Sequence, residues 1–438
     1  MSQPNDPTVA VLAQLLPGSA GGIEVNLLGL LRALDRAGSG RQIVIGPGGE
    51  SPWLRPHLGD RQTLLAWEPI RPVGGPAPAP PGGWSMLRRA LDRQRFRLAD
   101  AVRRLWQLRD QPTPREGEGL TETLVAQGAE VVHFPYQRHF ATALPSLFEP
   151  WDLQHCHYPE FFAPDEISLR DEMYETGCRR AAVVITASEW TKWDLVRQYG
   201  LPAAKIAVIP RGVTPRPAPG AAEQAAVARR LGLPERYIVY PAKTWPHKNH
   251  ARLFEALAHL GRSDGLTVPL VCTGKPVAQH WPSVERRLTG LGLADRVVFT
   301  GHLSEDDVRA VLARSTFLVF PSLFEGLGIP LLEAMQLGVP IVTSEVTCLP
   351  EIAGDAAIYF DATSVSAIAD AVRAAWRDPA RREELRARGL GRTKLFDWDD
   401  AASKFRVCYQ YAAGRRLTPN ETAVLASLTG AGNPSAAG

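Results

Sequence analysis

The chain has 438 residues, of which 45% are hydrophobic and 22% are charged, and its formal net charge is +3. This length exceeds one ordinary hydrophobic core and predicts two or three globular domains, while the small net charge excludes a general nucleic-acid binder. The sequence opens without a signal-peptide pattern and has no run of about 18 apolar residues that could span a membrane, so we expect a cytoplasmic protein.

Short apolar runs alternate with amphipathic stretches along the chain, which is typical of an α/β protein with parallel sheets. In the first half, strands are predicted at residues 9–16, 42–45, 131–134, 182–186 and 206–209. In the second half, strands are predicted at residues 237–240, 268–273, 296–300, 317–320, 340–343 and 357–360. Two parallel sheets in two domains are therefore expected.

An insertion in the first half joins a proline- and glycine-rich loop, residues 72–83, to an arginine-rich helix at residues 85–110. In that helix, leucine and valine mark one face and eight arginines crowd the remainder. Such a helix suits an anionic membrane surface or a lipid-linked or acidic acceptor. The alternative is a solvent-exposed arginine face on a helix whose apolar stripe belongs to the core.

A segment rich in proline, glycine and alanine separates the two series of strands, and we interpret it as the interdomain linker. The last residues have the composition of a loose tail. The expected divisions are an N-terminal domain at 1–212, a linker at 213–235, a C-terminal domain at 236–397, a helix at 398–416 and a tail at 417–438.

Two short segments have the residue types of a phosphate site. After the first strand, Gly21 and Gly22 permit close backbone approach to an anion at the start of a helix. After strand 237–240, Lys243 and Lys248 place two cations where they can neutralise a diphosphate leaving group. Ordinary exposed lysines are the alternative.

The segment FPSLFEGLGIPLLEAM, residues 320–335, places Glu325 and Glu333 eight positions apart around a glycine-rich turn. The glycines allow a tight loop, and Pro330 suits the first position of a helix. A helix N-terminus favours a phosphate, and carboxylates beside it can accept hydrogen bonds from sugar and ribose hydroxyls. The alternative is a strand-turn-helix whose acids only favour the helix start.

The sequence contains little evidence of a metal site or a disulfide framework. Its five cysteines are odd in number and lack paired spacing, so we expect buried thiols. The Asp-x-Asp pattern at residues 397–399 suits a helix cap better than a metal site. We therefore expect no essential metal or other cofactor.

Together these segments resemble retaining glycosyltransferases of family 4. The resemblance rests on FEGLGIPLLEAM, YPAKTWPHKNHARLFEAL and VVFTGHLSEDDVRAVLARSTFLVFPS, and on AAVVITASEWTKWDLVRQYGLPAAKIAVIPRGV upstream. It implies the GT-B fold, in which two Rossmann-like parallel-sheet domains face each other across a cleft and a C-terminal helix crosses back. The N-terminal domain would then serve the acceptor and the C-terminal domain the donor.

The resemblance implies roles for the charged residues of the donor site. Glu325 would contact hydroxyls of the donor sugar and Glu333 the ribose. Lys248 matches the family's phosphate lysine. Lys243 stands where an arginine is more usual, which exchanges a bidentate fork for a point charge.

Backbone segments complete the donor site that the resemblance implies. The turn of Gly326, Leu327 and Gly328 would lie near the sugar and phosphate. Gly21 and Gly22 match the N-terminal glycine loop that approaches the diphosphate.

On the acceptor side, the segment PWDLQHCHYPEFF resembles a loop that often begins His-Asp, where this chain has Trp151 and Asp152. If that histidine acts directly in the reaction, this chain must do without it or use His155 or His157. His133, at the end of a strand, is a further acceptor-side candidate. Structural packing is the alternative for each histidine.

The resemblance implies transfer with retention, and the sequence identifies no carboxylate nucleophile for a double displacement. We therefore expect a front-side mechanism in which the leaving diphosphate helps to deprotonate the acceptor while Lys243 and Lys248 stabilise its charge. Glu325, Asp152 and His155 complete the catalytic candidates.

The leading functional hypothesis is transfer from a GDP-mannose or UDP-hexose type donor to a glycan or lipid-linked glycan acceptor in bacterial surface polysaccharide biosynthesis. The arginine-rich segment 85–110 would supply peripheral contact with the inner face of the membrane. The alternatives are another enzyme on this scaffold, such as a nucleotide-sugar epimerase or a phosphorylase, and a catalytically silent sugar-nucleotide-binding protein.

Overall fold

A computed structural model describes residues 6–15, 22–48, 51, 53–67 and 119–430. Gly21, the loop 72–83 and the arginine-rich segment 85–110 lie outside the described residues. Within these ranges the chain forms two separate parallel sheets, one of seven strands and one of six. None of the helices in the described ranges has the length and apolar character needed to cross a bilayer.

The first sheet has the strand order β3-β2-β1-β4-β5-β6-β7, so the order reverses between β1 and β4. Its strands are β1 Val9–Leu12, β2 Gln42–Pro47, β3 Gln62–Trp67, β4 Val131–Phe134, β5 Ser146–Phe148, β6 Val183–Thr186 and β7 Ile206–Val208. Its helices are α1 Gly22–Arg36, α2 Leu120–Ala126, α3 Gln154–His157, α4 Pro164–Arg180 and α5 Glu189–Tyr199. The five strands predicted for this half of the chain are confirmed. The sequence analysis missed β3, an edge strand with a mixed pattern of exposure, and β5, which has three residues.

The second sheet has the order β10-β9-β8-β11-β12-β13, and all six predicted strands are confirmed. They are β8 Ile238–Pro241, β9 Leu270–Thr273, β10 Val297–Gly301, β11 Leu318–Phe320, β12 Ile341–Ser344 and β13 Ala357–Phe360. The helices are α6 Ala221–Arg230, α7 His250–Asp264, α8 Trp281–Gly290, α9 Glu305–Arg314, α10 Ile329–Gln336, α11 Leu349–Ala353, α12 Val365–Arg377 and α13 Pro379–Arg392. Because β8 pairs with β11, the loops after these two strands meet at the point where the strand order reverses.

The helix α14, Trp398–Ala412, returns from the second domain to the first. Its buried residues Trp398, Phe405 and Tyr409 belong to the core on one face of the first sheet. Asp397 caps this helix, since its carboxylate accepts hydrogen bonds from the backbone N–H groups of Asp399 and Asp400 at 2.6 and 2.9 Å. The prediction of a returning helix with an aspartate cap is confirmed.

The expected linker and the expected loose tail each contain a helix. Within the expected linker, residues 221–230 form α6, and its Val227 is buried in the core of the second domain. Within the expected tail, α15, Pro419–Thr429, begins with a capping box formed by Thr418 and Glu421. The sequence does contain this signal, Thr-x-x-Glu before a short apolar run, and the prediction of a loose tail overlooked it.

All five cysteines, which lie within the described ranges, are free, and four of them are buried. Burial raises the pKa of each buried thiol, so these side chains remain protonated and pack as small apolar groups. The expectation of thiols without a disulfide framework is confirmed.

Candidate active site

Lys248 and Glu325 form an ion pair where the two central strands of the second sheet end. Lys248 closes the short turn after β8, and its Nζ lies 2.5 Å from the Glu325 Oε1 on the loop after β11. The ammonium group also lies 5.6 Å from the centre of the Phe320 ring. The side chains are only 18% and 11% exposed, so both charges are largely removed from water and their attraction is weakly screened.

Asn249 holds the lysine loop in place. It adopts a left-handed conformation with a φ of 60°, and its amide donates to the backbone oxygens of Pro321 and Ala362 at 3.0 and 2.8 Å. The Tyr240 hydroxyl donates to the Lys248 backbone oxygen at 2.7 Å. These bonds join the loops after three strands. The sequence analysis did not identify Asn249, although an asparagine just before a helix is a recognisable signal for this conformation.

The glycine turn after Glu325 touches the first domain. A side chain at Gly326 would come within 2.7 Å of the Trp151 backbone oxygen and 3.1 Å of the Asp152 Cβ. Gly328 has a φ of 72°, and α10 begins directly after it with Pro330 in its first turn, as the sequence predicts. Glycine at these two positions therefore permits both the tight turn and the close approach of the domains.

Asp152 lies beside this turn, in the loop that follows β5. Its Oδ1 accepts a hydrogen bond from the Gln154 backbone N–H at 3.1 Å. Burial raises the pKa of Asp152, and the negative charge of Glu325 raises it further, whereas Arg170 and His155 act in the opposite direction. The structure thus brings Glu325 close enough to Asp152, which is far away in the sequence, for its charge to raise the pKa of Asp152.

Trp151 has a φ of 66°, which is an unfavourable backbone conformation for a tryptophan. Its indole N–H donates to the Pro135 backbone oxygen at 2.9 Å, and its ring packs against the cores of both domains. Backbone strain of this kind persists only where surrounding contacts enforce it, and it is frequent at functional sites. The residue that replaces a histidine in this loop is therefore an interdomain packing residue.

Glu333 lies one turn along α10 and faces a pocket between the domains, together with Leu327. The pocket has a volume of about 60 Å³. The Glu333 carboxyl has no hydrogen-bond partner within the described ranges. Its burial, together with the charge of Glu305, raises its pKa to about 7, against the opposing effect of Arg309. Near neutral pH this group can accept a hydrogen bond from a ligand hydroxyl or, when protonated, donate one.

Lys243 and Gly22 are the other predicted donor-site residues within the described ranges. Lys243 is half-buried in the loop after β8. Gly22 begins α1, and a side chain there would come within 2.8 Å of the Ile329 side chain at the start of α10. The helix starts of the two domains therefore lie next to each other across the cleft.

His133 is buried, and both of its ring nitrogens are bonded within the fold. Nε2 lies 2.9 Å from the Glu149 carboxylate, and Nδ1 lies 2.8 Å from the Tyr409 hydroxyl on α14. Glu149 also pairs with Arg211, which is buried as well. The returning helix covers His133, and its role on the acceptor side stays a prediction.

His155 is also buried, with 1% of its surface exposed. Its Nε2 lies 3.0 Å from the Asp171 Oδ1 and 3.3 Å from the Tyr199 hydroxyl. The ring is buried inside the first domain, and the role of His155 as a catalytic or acceptor-side residue stays a prediction.

His155, Cys156 and Asp171 also offer ligand atoms that lie within 4.8 Å of one another. Burial raises the pKa of the Cys156 thiol, and the Asp171 carboxylate raises it further. The three side chains are joined by hydrogen bonds, since the Cys156 Sγ also lies 3.7 Å from the Asp171 Oδ1.

His157 is the histidine of this loop that reaches the domain interface. Its side chain is 30% exposed, and its Nε2 lies 2.8 Å from the buried Asp194 carboxylate. Its ring centre lies 5.1 Å from that of Phe324, the residue directly before Glu325. The next residue, Tyr158, donates its hydroxyl to the Leu323 backbone oxygen at 3.2 Å. His157 is therefore oriented by a carboxylate and lies beside the loop that carries Glu325.

Glu351 makes an interdomain contact that the sequence analysis did not identify. Its carboxylate accepts hydrogen bonds from the backbone N–H groups of Glu189 and Trp190, at 2.8 and 2.6 Å. These groups form the first turn of α5 in the other domain, where a negative charge is favourable. Glu351 lies at the start of the short helix α11, and no local pattern in the sequence indicates a partner more than 160 positions away.

Two protein-family models match the chain and together span most of it. Residues 224–392 match the family described as glycosyl transferases group 1, and residues 20–216 match glycosyltransferase family 4. The O-antigen chain mannosyltransferase B of Escherichia coli is 29% identical over 252 residues, which cover 56% of this chain and 65% of that protein. The serotype-specific mannosyltransferase WbdA of Escherichia coli is 32% identical over 174 residues, which cover 40% of this chain and 21% of that protein.

These matches span less than two thirds of the length of either curated relative. Among solved structures, Anabaena HepE in complex with UDP and glucose superimposes with a TM-score of 0.65 at 17% identity, over 91% of this chain and 98% of that chain. This likeness establishes the GT-B fold, with two Rossmann-like domains and a cleft between them. With both domains matched by family models, the chain belongs to the family 4 glycosyltransferases, described in the C-terminal half as glycosyl transferases group 1.

Proposed function

We propose that this protein is a retaining glycosyltransferase that moves a hexose, most simply mannose, from a nucleoside diphosphate to the growing glycan of a bacterial surface polysaccharide. The observation that carries the proposal is the Lys248–Glu325 pair at the centre of the second sheet, held against Asp152 of the first domain. The similarity to O-antigen mannosyltransferases supports mannose as the sugar and a polysaccharide as the product.

In this proposal the donor lies along the C-terminal edge of the second sheet. Glu325 accepts hydrogen bonds from the sugar hydroxyls, and Glu333 binds the ribose. Lys248 and Lys243 neutralise the diphosphate, together with the N-terminus of α10. Cations in a partly dehydrated site stabilise developing charge more strongly than cations in water, so no metal is required in this scheme.

The acceptor approaches from the first domain, along the loop that carries Asp152 and His157. The bond between the anomeric carbon and the phosphate oxygen breaks, and the acceptor oxygen forms its bond on the same face of the sugar. The acceptor proton passes to the departing phosphate oxygen. His157, oriented by Asp194, lies where it can position the acceptor hydroxyl.

The first test uses purified protein with GDP-mannose and UDP-hexoses and an oligosaccharide acceptor, and it determines the anomeric configuration of the product by NMR. Transfer by the wild type with retention is expected. We predict that Glu325→Gln lowers kcat about 100-fold or more, because the amide cannot replace a carboxylate acceptor or balance Lys248. The matched control Glu345→Gln changes an exposed glutamate on the neighbouring strand-end loop and leaves kcat unchanged.

An inverted product would contradict the retaining mechanism. Full activity of Glu325→Gln with an unchanged melting temperature would contradict the site. Absence of binding to every nucleoside diphosphate sugar would contradict the whole proposal.

A further inference from the structure

The side chain of Asn26, on α1, is a buried amide without a partner. It is 2% exposed, and neither its oxygen nor its nitrogen makes a hydrogen bond within the part of the chain that the structure describes. Most buried polar side chains in folded proteins are paired with protein or ordered water. An amide left open on both sides within these ranges is available to pair with a ligand in the pocket.

Asn26 lines the same interdomain pocket as Glu333. Gly212 and Thr214 form another wall of this pocket, and Trp398 of the returning helix contributes to the lining. Two polar side chains from different domains, an amide and a carboxyl, thus face one space, and the amide is unpaired within the described ranges.

The charge around the pocket suits an anionic ligand with hydroxyl groups. The starts of α1 and α10, where helix dipoles are positive, lie next to each other at Gly22 and Ile329. Arg309 also lines the pocket, close enough to Glu333 to lower that carboxyl's pKa. An amide can donate to a phosphate or ribose oxygen and accept from a ribose hydroxyl at the same time.

We infer that Asn26 binds the nucleotide part of the donor, at the ribose and the adjoining phosphate, opposite Glu333. The inference rests on the proposed function and extends it, because it assigns a donor-binding side chain to the domain expected to serve the acceptor. A ligand bonded to Asn26 on one side and Glu333 on the other joins the two domains, so nucleotide binding stabilises the closed cleft.

The test measures binding of GDP and UDP by calorimetry to the full-length wild type, to Asn26→Ala and to the control Gln62→Ala. We expect Asn26→Ala to bind the preferred nucleotide about tenfold or more weakly, the loss typical of a removed ligand hydrogen bond. Its melting temperature without nucleotide should be unchanged or higher, because the substitution removes no hydrogen bond among the residues that the structure describes.

The control residue Gln62 differs from Asn26 because its amide is hydrogen-bonded within the fold. The Gln62 amide is buried and donates to the Leu31 backbone oxygen at 2.7 Å and to the Gln42 side chain at 3.1 Å. We expect Gln62→Ala to lower the melting temperature and leave nucleotide affinity unchanged. A second variant, Asn26→Asp, keeps the shape of the side chain and adds a negative charge. It should weaken nucleotide binding more than alanine does.

The outcomes separate the two proposals. If the wild type binds neither GDP nor UDP, the proposed function and this inference both fail. If the wild type binds and both Asn26 variants bind equally well, only the inference fails. If Asn26→Ala melts earlier with unchanged affinity, a buried water pairs with the amide, and the inference is overturned.

Discussion

At the scale of single residues, the most informative group is the Glu333 carboxyl, whose folded-state pKa is raised by burial to about 7 from an ordinary 4.5. A carboxyl with a raised pKa holds its proton in the folded state and releases it on unfolding. Between about pH 4.5 and 7, this group therefore lowers the free energy of unfolding as the pH rises. Above that range the destabilisation that it causes is constant.

We predict that Glu333→Gln removes this dependence. Relative to the wild type, the variant should gain unfolding free energy between pH 5 and pH 7.5, by up to ~3 kcal/mol for a pKa raised from 4.5 to about 7. Denaturant unfolding of both proteins without nucleotide, at several pH values, measures the difference. A difference that stays constant over this range would show that Glu333 titrates normally, and that it is more accessible to water than its burial indicates.

At the scale of elements, the turn between β11 and α10 requires glycine at two positions, one because of its own conformation and one because of a contact with the other domain. Gly328 needs a left-handed conformation, which its own turn imposes. Gly326 needs the absence of a side chain, because a backbone atom of Trp151 in the other domain would lie within 2.7 Å of a Cβ. A backbone atom cannot move aside as a flexible side chain would.

We predict that Gly326→Ala leaves the fold of each domain intact but pushes the turn away from Trp151 and Asp152. The kcat should fall at least tenfold, while the far-ultraviolet circular dichroism spectrum stays unchanged. Gly290→Ala, at a helix end with open space around it, is the matched control. Equal activity of Gly326→Ala and the control would mean that the close contact is not needed for turnover.

At the scale of the whole molecule, the two domains are joined by contacts that lie on both sides of the candidate site. The returning helix α14 packs into the core of the first domain, whereas Glu351 binds the start of α5 through two exposed hydrogen bonds. Glu351 thus stabilises the arrangement of the two domains in this structure.

We predict that Glu351→Ala shifts the protein toward an open cleft. Small-angle scattering should give a larger radius of gyration without nucleotide, and the apparent KM for the donor should rise several-fold, because closure must be driven by the donor alone. The exposed Glu345→Ala is the control. An unchanged scattering curve together with an unchanged KM would show that Glu351 does not stabilise closure.

The sequence by itself determined the strands of the second sheet, the glycine turn and the position of Glu325 shortly before a helix start. These features depend on local periodicity and on residues a few positions apart. It also placed Lys248 after the correct strand.

The tertiary structure alone decided which histidine reaches the cleft. His133 lies at a strand end, yet Tyr409, 276 positions later, covers it, while His157 reaches Phe324 of the other domain. Burial of a side chain depends on elements that meet only in the folded chain, and no local pattern encodes which elements those are.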